Sequence, residues 1–223
     1  TIVSYVDASG NSLRLDESKT SGGNLGGLFK FRNEDLVNAR NDLNMMALQM
    51  ADRFNEVNGQ GYDLNGNPGE DLFSYKNPTA YPNLNNAGNA TFDVSYTSVK
   101  DVQAQDYTIT FKGPGQDDWE VTRADGSKVT PTIGENGELE FDGLSLSPGG
   151  TPQPGDSFRM NSVENVSGSL KVAITSGDQI AASSSDDPSD ESNNENIKAL
   201  IGIRDERLVG NATLTEAYAS LVS

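Results

Sequence analysis

Neighbouring carboxylates are the residues of this sequence whose type and spacing come nearest to catalytic chemistry. Pairs occur at Asp117–Asp118, Asp186–Asp187 and Glu70–Asp71. A glycosidase holds two carboxylates about 5–10 Å apart across a cleft and raises the pKa of one of them. Adjacent acids in turn-like stretches do not indicate that arrangement, and 33 acidic residues make chance pairs frequent. We therefore predict no catalytic pair.

A second candidate is the segment Asp63–Pro68, in which oxygen ligands alternate as at the start of a calcium-binding loop. Pro68 occupies the place of the loop's glycine, and Ser74 the place of its bidentate glutamate. Closely spaced Asp and Asn residues also form turns, in which their side chains accept hydrogen bonds from backbone N–H groups. The pattern favours such a turn, and we predict no metal site.

The sequence contains no cysteine and no histidine. It therefore lacks a thiol nucleophile, a disulfide framework, the commonest general base and the commonest metal ligand. The glycines between Gly22 and Gly27 lack the lysine and the strand-to-helix context of a phosphate-binding loop. These absences exclude most hydrolase and metalloenzyme templates but leave open a hydrolase that uses two acids in a cleft, and we expect no cofactor.

The charge balance excludes two classes of partner. The formal net charge is -17, and such an acidic surface repels both nucleic acid and anionic lipid headgroups. No apolar run approaches the roughly 20 residues that cross a bilayer. The first residues show no cleavable signal peptide. The chain does not begin with methionine, which we interpret as the sign of an excised fragment.

The clearest predicted element is a long amphipathic helix from Asn33, a candidate N-cap, to Asn58. At about 25 residues it would span roughly 37 Å, which is typical of a rod. Its apolar residues recur with the spacing of a helix that has one packed face. We call them the apolar stripe: Leu36, Leu43, Met46, Ala47, Met50, Phe54 and Val57.

The apolar stripe is expected to pack either on the C-terminal helices of its own chain or on a neighbouring subunit. Burial of each large side chain contributes roughly 1.5–3 kcal/mol. We expect Leu43→Asp to unfold the helical part.

Residues 91–160 show the pattern of short antiparallel strands. Apolar residues alternate over Phe92–Tyr96 and Tyr107–Phe111. Hairpin signals separate the predicted strands at Asp125–Gly126, Asn136–Gly137 and Asp142–Gly143. This spacing predicts a sandwich or a barrel.

The aromatic residues of this region allow two interpretations. Trp119, Tyr107 and Phe111 either belong to its core or form an exposed platform that binds sugars.

Four features are predicted after residue 160. A strand carries Leu170, Val172 and Ile174, and a linker extends over Ser183–Asn196. One helix carries Ile197, Leu200, Ile201 and Leu208, and another begins at a capping box of Thr213 and Glu216 and carries Tyr218 and Leu221. We add Leu200, Ile201, Tyr218 and Leu221 to the predicted packing residues.

The run from Gly22 to Arg32, followed by Asp35–Leu36, resembles the signature of the FlgK family of flagellar hook-associated proteins. In that family a Gly-Gly-x-Leu-x-Gly-Leu run leads into an Arg-bearing segment and a long helix. Further similar segments follow in the same order: Phe54–Asn55, Gly61–Gly66, Gly69–Phe73, Asp142–Leu144, Pro154–Phe158, Ile180–Ser183 and Ala217–Val222.

The resemblance implies an extracellular structural protein at the junction between the flagellar hook and filament, exported by the type III apparatus without a cleaved signal. It implies as partners the hook protein, the second hook-associated protein and further copies of itself. It also implies that no catalytic residue is present. The family's terminal helices, which carry polymerisation, are not matched, so we expect this chain alone to be monomeric. The alternative is a secreted adhesin-like module that binds through its β domain.

These observations predict an α+β fold, with an elongated helical rod portion and an inserted antiparallel β-sandwich or barrel module. Residues 1–17 are assigned to the end of a preceding β region. Residues 18–90 and 161–223 are assigned to the helical axial domain, and residues 91–160 to the β module.

Overall fold

The computed structural model describes residues 4–6, 12–14, 22–115, 118–187, 189–190 and 192–222. The chain divides into two compact units, Thr1–Arg40 and Asn41–Ser223. Helices and antiparallel strands are both present, so the predicted α+β class is confirmed.

The first unit contains a hairpin followed by a helix. Strands β1 (Ser4–Val6) and β2 (Ser12–Arg14) pair antiparallel, as predicted. The rest of the predicted hairpin, including the turn at 7–11, lies outside the described residues. Helix α1 (Gly23–Lys30) continues through a π-helical segment (Phe31–Asp35) into α2 (Leu36–Gly59).

The start of the long helix differs from the prediction. The chain is already helical at Gly23, and the Asn33 side chain accepts a hydrogen bond from Arg32 Nε at 2.8 Å. Phe29 is buried, with the Arg32 guanidinium 5.4 Å from the centre of its ring. The run after the glycines is rich in helix-compatible residues, so no cap is needed at Asn33. The helix ends at Gly59, as predicted.

The second unit contains a β-sandwich together with the remaining helices. Its strands are β3 (Phe73–Ser74), β4 (Tyr81–Pro82), β5 (Thr91–Tyr96), β6 (Asp106–Phe111), β7 (Trp119–Arg123), β8 (Lys128–Val129), β9 (Thr132–Ile133), β10 (Leu139–Phe141), β11 (Leu144–Gly149), β12 (Ser157–Asn161) and β13 (Lys171–Val172). One sheet has the order β5-β11-β10-β9, and the other has the order β4-β12-β6-β7-β8. All their pairings are antiparallel. The sheets form a sandwich and do not close into a barrel.

Aromatic side chains fill the space between the two sheets. Phe92 lies edge-on to Trp119 and to Phe158, with ring centroids 4.9 and 5.0 Å apart. Trp119, Tyr107 and Phe111 are 7%, 1% and 5% exposed. They belong to the core, so the exposed aromatic platform of the adhesin alternative is not formed.

Two prolines affect the strands of the sandwich differently. The run from Val129 to Ile133 is divided by Pro131 into β8 and β9, which belong to different sheets. Proline has no N–H to donate to a ladder, which favours a break at this point. Pro148 lies within β11 opposite Phe92 and does not interrupt that strand.

The turn at Asp142–Gly143 is fixed by the core. Both residues have positive φ, 46° and 74°, as a two-residue hairpin turn requires. The Tyr107 hydroxyl donates to Asp142 Oδ2 at 2.7 Å, and the Arg123 guanidinium donates to both Asp142 oxygens at 2.8 and 2.9 Å. Against the effect of burial, these bonds keep the pKa of Asp142 below its ordinary value.

Asp156 is a 2% exposed carboxylate whose oxygens accept hydrogen bonds from the backbone N–H groups of Gln153, Ala87 and Gly88. These bonds lower its pKa. The charged form therefore stabilises the folded state at neutral pH, and this contribution is lost as the pH falls below about 4.

We expect Asp156→Asn to lower the urea midpoint of unfolding most at neutral pH, with the difference from the parent shrinking in acid. Asp93→Asn, at an exposed position of β5, gives the background effect of removing a charge. A difference between Asp156→Asn and the parent that stays constant from neutral to acid pH would contradict this assignment.

The helices of the second unit after the sandwich are α3 (Val166–Ser169), α4 (Glu195–Gly202) and α5 (Leu214–Leu221). The predicted strand at 170–174 is reduced to β13, which pairs with β3. The predicted helix through Leu208 is shorter, because α4 passes into a 3-10 segment that ends at Asp205. The capping box of α5 is confirmed, with bonds of 2.9 and 3.2 Å between Thr213 and Glu216.

The predicted linker Ser183–Asn196 is anchored at both ends. The Tyr62 N–H donates to the Ser183 carbonyl at 2.8 Å. Asn196 is 7% exposed and donates to the carbonyls of Val57 and Ala181 at 3.0 and 2.7 Å. Pro188 and Glu191 lie outside the described residues.

Candidate functional site

The calcium-like segment forms a turn. Asp63 Oδ1 accepts from the backbone N–H groups of Asn65 and Asn67 at 2.7 and 2.9 Å, as predicted for an Asx turn. The bonds from Asn67 and Asn65 lower the pKa of Asp63. Over the described part of the chain, no three acidic side chains cluster in a way that could hold a metal ion.

The paired acids are also placed by the structure. Asp118 is exposed and accepts from the Gly115 N–H at 2.8 Å, which closes a turn, while Asp117 lies outside the described residues. The pairs Glu70–Asp71 and Asp186–Asp187 are exposed. Strong pKa perturbation of a catalytic acid requires burial or a specific partner, so these exposed pairs do not indicate catalysis.

The face of α2 that is buried in its own chain carries a row of asparagines interrupted by apolar residues. Positions 41, 44, 48, 51, 55 and 58 are spaced alternately three and four apart, so they lie along one side of the helix. We call this row the amide seam: Asn41, Asn44, Leu48, Ala51, Asn55 and Asn58. Leu48, Ala51 and Asn58 are completely buried.

The C-terminal asparagines of the amide seam bond to the backbone of other segments. Asn55 donates to the Phe73 carbonyl at 2.8 Å and accepts from the Phe73 N–H at 2.9 Å. Asn58 donates to the Glu70 carbonyl at 2.7 Å and accepts from the Ala181 N–H at 3.0 Å. Each amide therefore satisfies two backbone groups that would otherwise be left unpaired.

The N-terminal asparagines of the seam attach the helix to the base of the sandwich. Asn44 accepts from the Ser167 N–H and hydroxyl at 3.0 and 2.6 Å. Asn41 donates to the Ala104 carbonyl at 3.3 Å and accepts from Asn161 at 3.1 Å. One helical turn after Asn44, Leu48 packs in an apolar cluster with Val99, Val102, Val163 and Val166.

The apolar stripe lies to one side of the amide seam. At about 100° per residue, the two rows are separated by about 120° around the helix. Leu43 is 42% exposed, and Leu36 in the first unit is 43% exposed. The expectation that these leucines are buried within the chain is therefore wrong, and the exposure of Leu43 removes the reason to expect that Leu43→Asp unfolds the helical part.

The C-terminal half of the stripe opens into an apolar groove. The groove has a volume of about 570 Å³. It is lined by Met50, Phe54, Leu72, Ile180, Ile197, Leu200, Ile201, Arg204, Leu214 and Thr215. Three helices, α2, α4 and α5, thus contribute to one surface, which can accept a further apolar side chain or helix face.

Charged residues lie beside this groove. Arg53 donates to both oxygens of Glu206 at 2.7 and 2.9 Å, which ties α2 to the segment after α4 and lowers the pKa of Glu206. Arg204, the charged residue of the groove lining, pairs with Asp205 at 3.1 Å. The groove is therefore apolar at its base and ionic at its margin.

The structure brings some of the predicted packing residues together and leaves others apart. Met50, Phe54, Leu200 and Ile201 line the groove. Val57 is buried next to Ile203 in the apolar cluster that also contains the groove residues Leu72 and Leu200. Met46 and Ala47 are half-buried. Tyr218 is exposed and Leu221 half-buried.

The sequence prediction missed two features of this site. Leu72, Ile180 and Leu214 line the groove but stand in short segments without helical periodicity or at a helix end. The spacing of the four asparagines of the amide seam could have indicated it, but exposed faces of helices show the same composition.

Within the described residues, no helix combines the length and apolar character needed to cross a membrane.

Comparison with protein families and known proteins gives one consistent result. Residues 2–73 match the model of the flagellar hook-associated protein FlgK helical domain, and residues 81–162 match that of the flagellar hook-associated protein 1, D2-like domain. The flagellar hook-associated protein 1 of Salmonella typhimurium is 39% identical over 231 residues, which covers 100% of this chain. That of Escherichia coli is 38% identical over 226 residues, again covering 100% of the chain.

A solved structure is similar as well. The flagellar hook junction protein FlgK from Burkholderia pseudomallei superposes with a TM-score of 0.64 at 34% identity, covering 78% of this chain and 31% of that one. The chain spans 41% of the length of the Salmonella and Escherichia relatives.

Proposed function

Because the chain belongs to the FlgK family of flagellar hook-associated proteins, we propose that it forms part of a structural subunit at the junction between the flagellar hook and filament. Full coverage of the chain at 39% identity by hook-associated protein 1 supports this role. The subunit acts through packing and carries no catalytic site. It is located outside the cell, after export without a cleaved signal.

The observation that carries the packing mechanism is the apolar groove of α2, α4 and α5 together with the exposed Leu43 on the apolar stripe. The hydrogen bonds of the amide seam already attach α2 to the rest of its own chain. The exposed apolar side chains are therefore available to pack against helices of neighbouring subunits in the assembled junction. Exposed apolar surface of this kind marks interaction sites. Its partners are other axial proteins, namely the hook protein, the second hook-associated protein and further copies of the subunit.

We also propose that the β module is the part that projects from the helical portion. Residues 18–90 and 161–223 were assigned to the helical portion and 91–160 to the module. Pairing of β4 (Tyr81–Pro82) with β12 supports a module that begins earlier, close to residue 80.

The test is a chimera in which this chain replaces the matching segment of the Salmonella relative, in a strain that lacks its own copy. We expect the chimera to restore motility and attached filaments. Leu43→Asp together with Ile201→Asp should abolish both, because two carboxylates then lie on a surface that must be desolvated. These side chains are 42% and 61% exposed, so the chain itself should still fold.

Leu84→Asp is the matched control, because Leu84 is fully exposed in the loop between β4 and β5. It should leave motility unchanged. Thermal melts of the isolated chain with each substitution separate loss of assembly from loss of folding. Normal motility of the double variant would contradict the packing mechanism, and failure of the parent chimera would contradict the proposed function.

A further inference from the structure

Three Asn-Gly pairs occur in the chain: Asn58–Gly59, Asn65–Gly66 and Asn136–Gly137. Asparagine is thermolabile, and a following glycine has no Cβ to hinder attack by its backbone nitrogen on the asparagine side chain. That nitrogen gives up its proton and bonds to Cγ, the Cγ–Nδ2 bond breaks, and Nδ2 leaves with the proton as ammonia, which forms a cyclic succinimide. Water then opens the ring at either carbonyl and gives aspartate or isoaspartate. Water is the only co-reactant.

The structure protects one of these pairs. Asn58 is 0% exposed, and both ends of its amide are held, by the Ala181 N–H and by the Glu70 carbonyl. Cyclisation requires the side chain to rotate toward the Gly59 nitrogen, so both hydrogen bonds must break first. Each bond lowers the reactive population by roughly tenfold.

The other two pairs lie in exposed turns. Asn65 is exposed at the centre of the turn closed by the bond from the Gly66 N–H to the Asp63 carbonyl. Asn136 occupies the same position of a similar turn, closed by the Gly137 N–H and the Gly134 carbonyl. The Asn136 amide also donates to Glu138 Oε1 at 3.0 Å, which restrains its rotation.

We propose that Asn65 and Asn136 are sites of spontaneous deamidation in the folded protein, and that Asn58 is protected by the amide seam. The product places a new carboxylate beside Asp63, which already accepts two backbone hydrogen bonds in this turn. Isoaspartate would also lengthen the main chain inside the turn.

The experiment is a time course of the folded chain in mildly alkaline buffer, followed by trypsin digestion and peptide mass spectrometry. Cleavage after Arg53 and Lys76 places Asn58 and Asn65 in one peptide, so fragmentation compares the two directly. Cleavage after Lys128 and Arg159 isolates Asn136. We expect Asn65 to react about 100-fold faster than Asn58, the effect of two hydrogen bonds.

Two controls make the result interpretable. In urea, where the turns and the amide seam are lost, the three sites should react at similar rates. In the Asn65→Gln variant, whose longer side chain forms the ring poorly, the peptide should keep its mass over the same period. Equal rates at Asn58 and Asn65 in the folded chain would overturn the proposal, as would an unreactive Asn65 while the unfolded chain reacts fully.

Discussion

Replacing Leu48 by alanine is expected to lower the free energy of unfolding by about 2–5 kcal/mol. Leu48 is 0% exposed, and its cluster joins α2 to Val99, Val102, Val163 and Val166 at the base of the sandwich. Truncation leaves a cavity that rigid strands and a helix cannot close. The measurement is urea unfolding, followed by far-UV circular dichroism and by the fluorescence of the single tryptophan, Trp119.

Leu43→Ala is the matched control, on the same helix with the same change of side chain. Because Leu43 is 42% exposed, we expect a loss of about 1 kcal/mol or less. Equal losses for the two variants would show that the apolar stripe is buried and that the assignment of the two faces of α2 is wrong.

The second large effect is expected for Asn58→Ala, which should lower the free energy of unfolding by about 2–4 kcal/mol. The substitution removes the side-chain amide that bonds to two backbone groups, the Glu70 carbonyl and the Ala181 N–H. A desolvated donor and acceptor without partners cost more than the hydrogen bonds themselves contribute. Thermal and urea unfolding of the variant measure the loss.

Asn38→Ala provides the comparison on the same helix. Asn38 is exposed, and alanine favours helix by a few tenths of a kcal/mol relative to asparagine, so stability should be unchanged or slightly raised. If the Asn58 and Asn38 variants unfold at the same urea concentration, the amide seam does not hold the fold together.

The sandwich could be predicted closely from the sequence because each of its signals is local. Alternation over Phe92–Tyr96 and Tyr107–Phe111 places side chains on one face of a strand, and Asp142–Gly143 supplies the positive φ of a tight turn. The division at Pro131 could not be predicted in the same way. Which sheet each half joins depends on partners distant in sequence.

The long helix shows the opposite case. Its existence and its end at Gly59 follow from periodicity, but its buried face does not. Hydrophobic pattern identifies the face that prefers to leave water. Asn55 and Asn58 instead face the rest of the chain because backbone groups of Phe73, Glu70 and Ala181 need partners. Those groups reach the helix only through the tertiary fold, so no local pattern identifies them. Only some of the residues that line the groove could be predicted. Met50 and Phe54 follow the helical period, whereas Ile180 lies in a segment without such a pattern.

The chain enters the sandwich through β4 and leaves it through β12, and these two strands are direct neighbours, with Tyr81 opposite Arg159 and Pro82 opposite Phe158. The two connections to the rest of the chain are thus only one strand spacing apart, about 5 Å. Because these two connections are so close, we expect that the segment between them can be replaced as a unit. A short linker could join β4 to β12 directly, or another domain whose termini lie close together could be inserted there. The replacement would need apolar groups where Val99 and Val102 now cover Leu48.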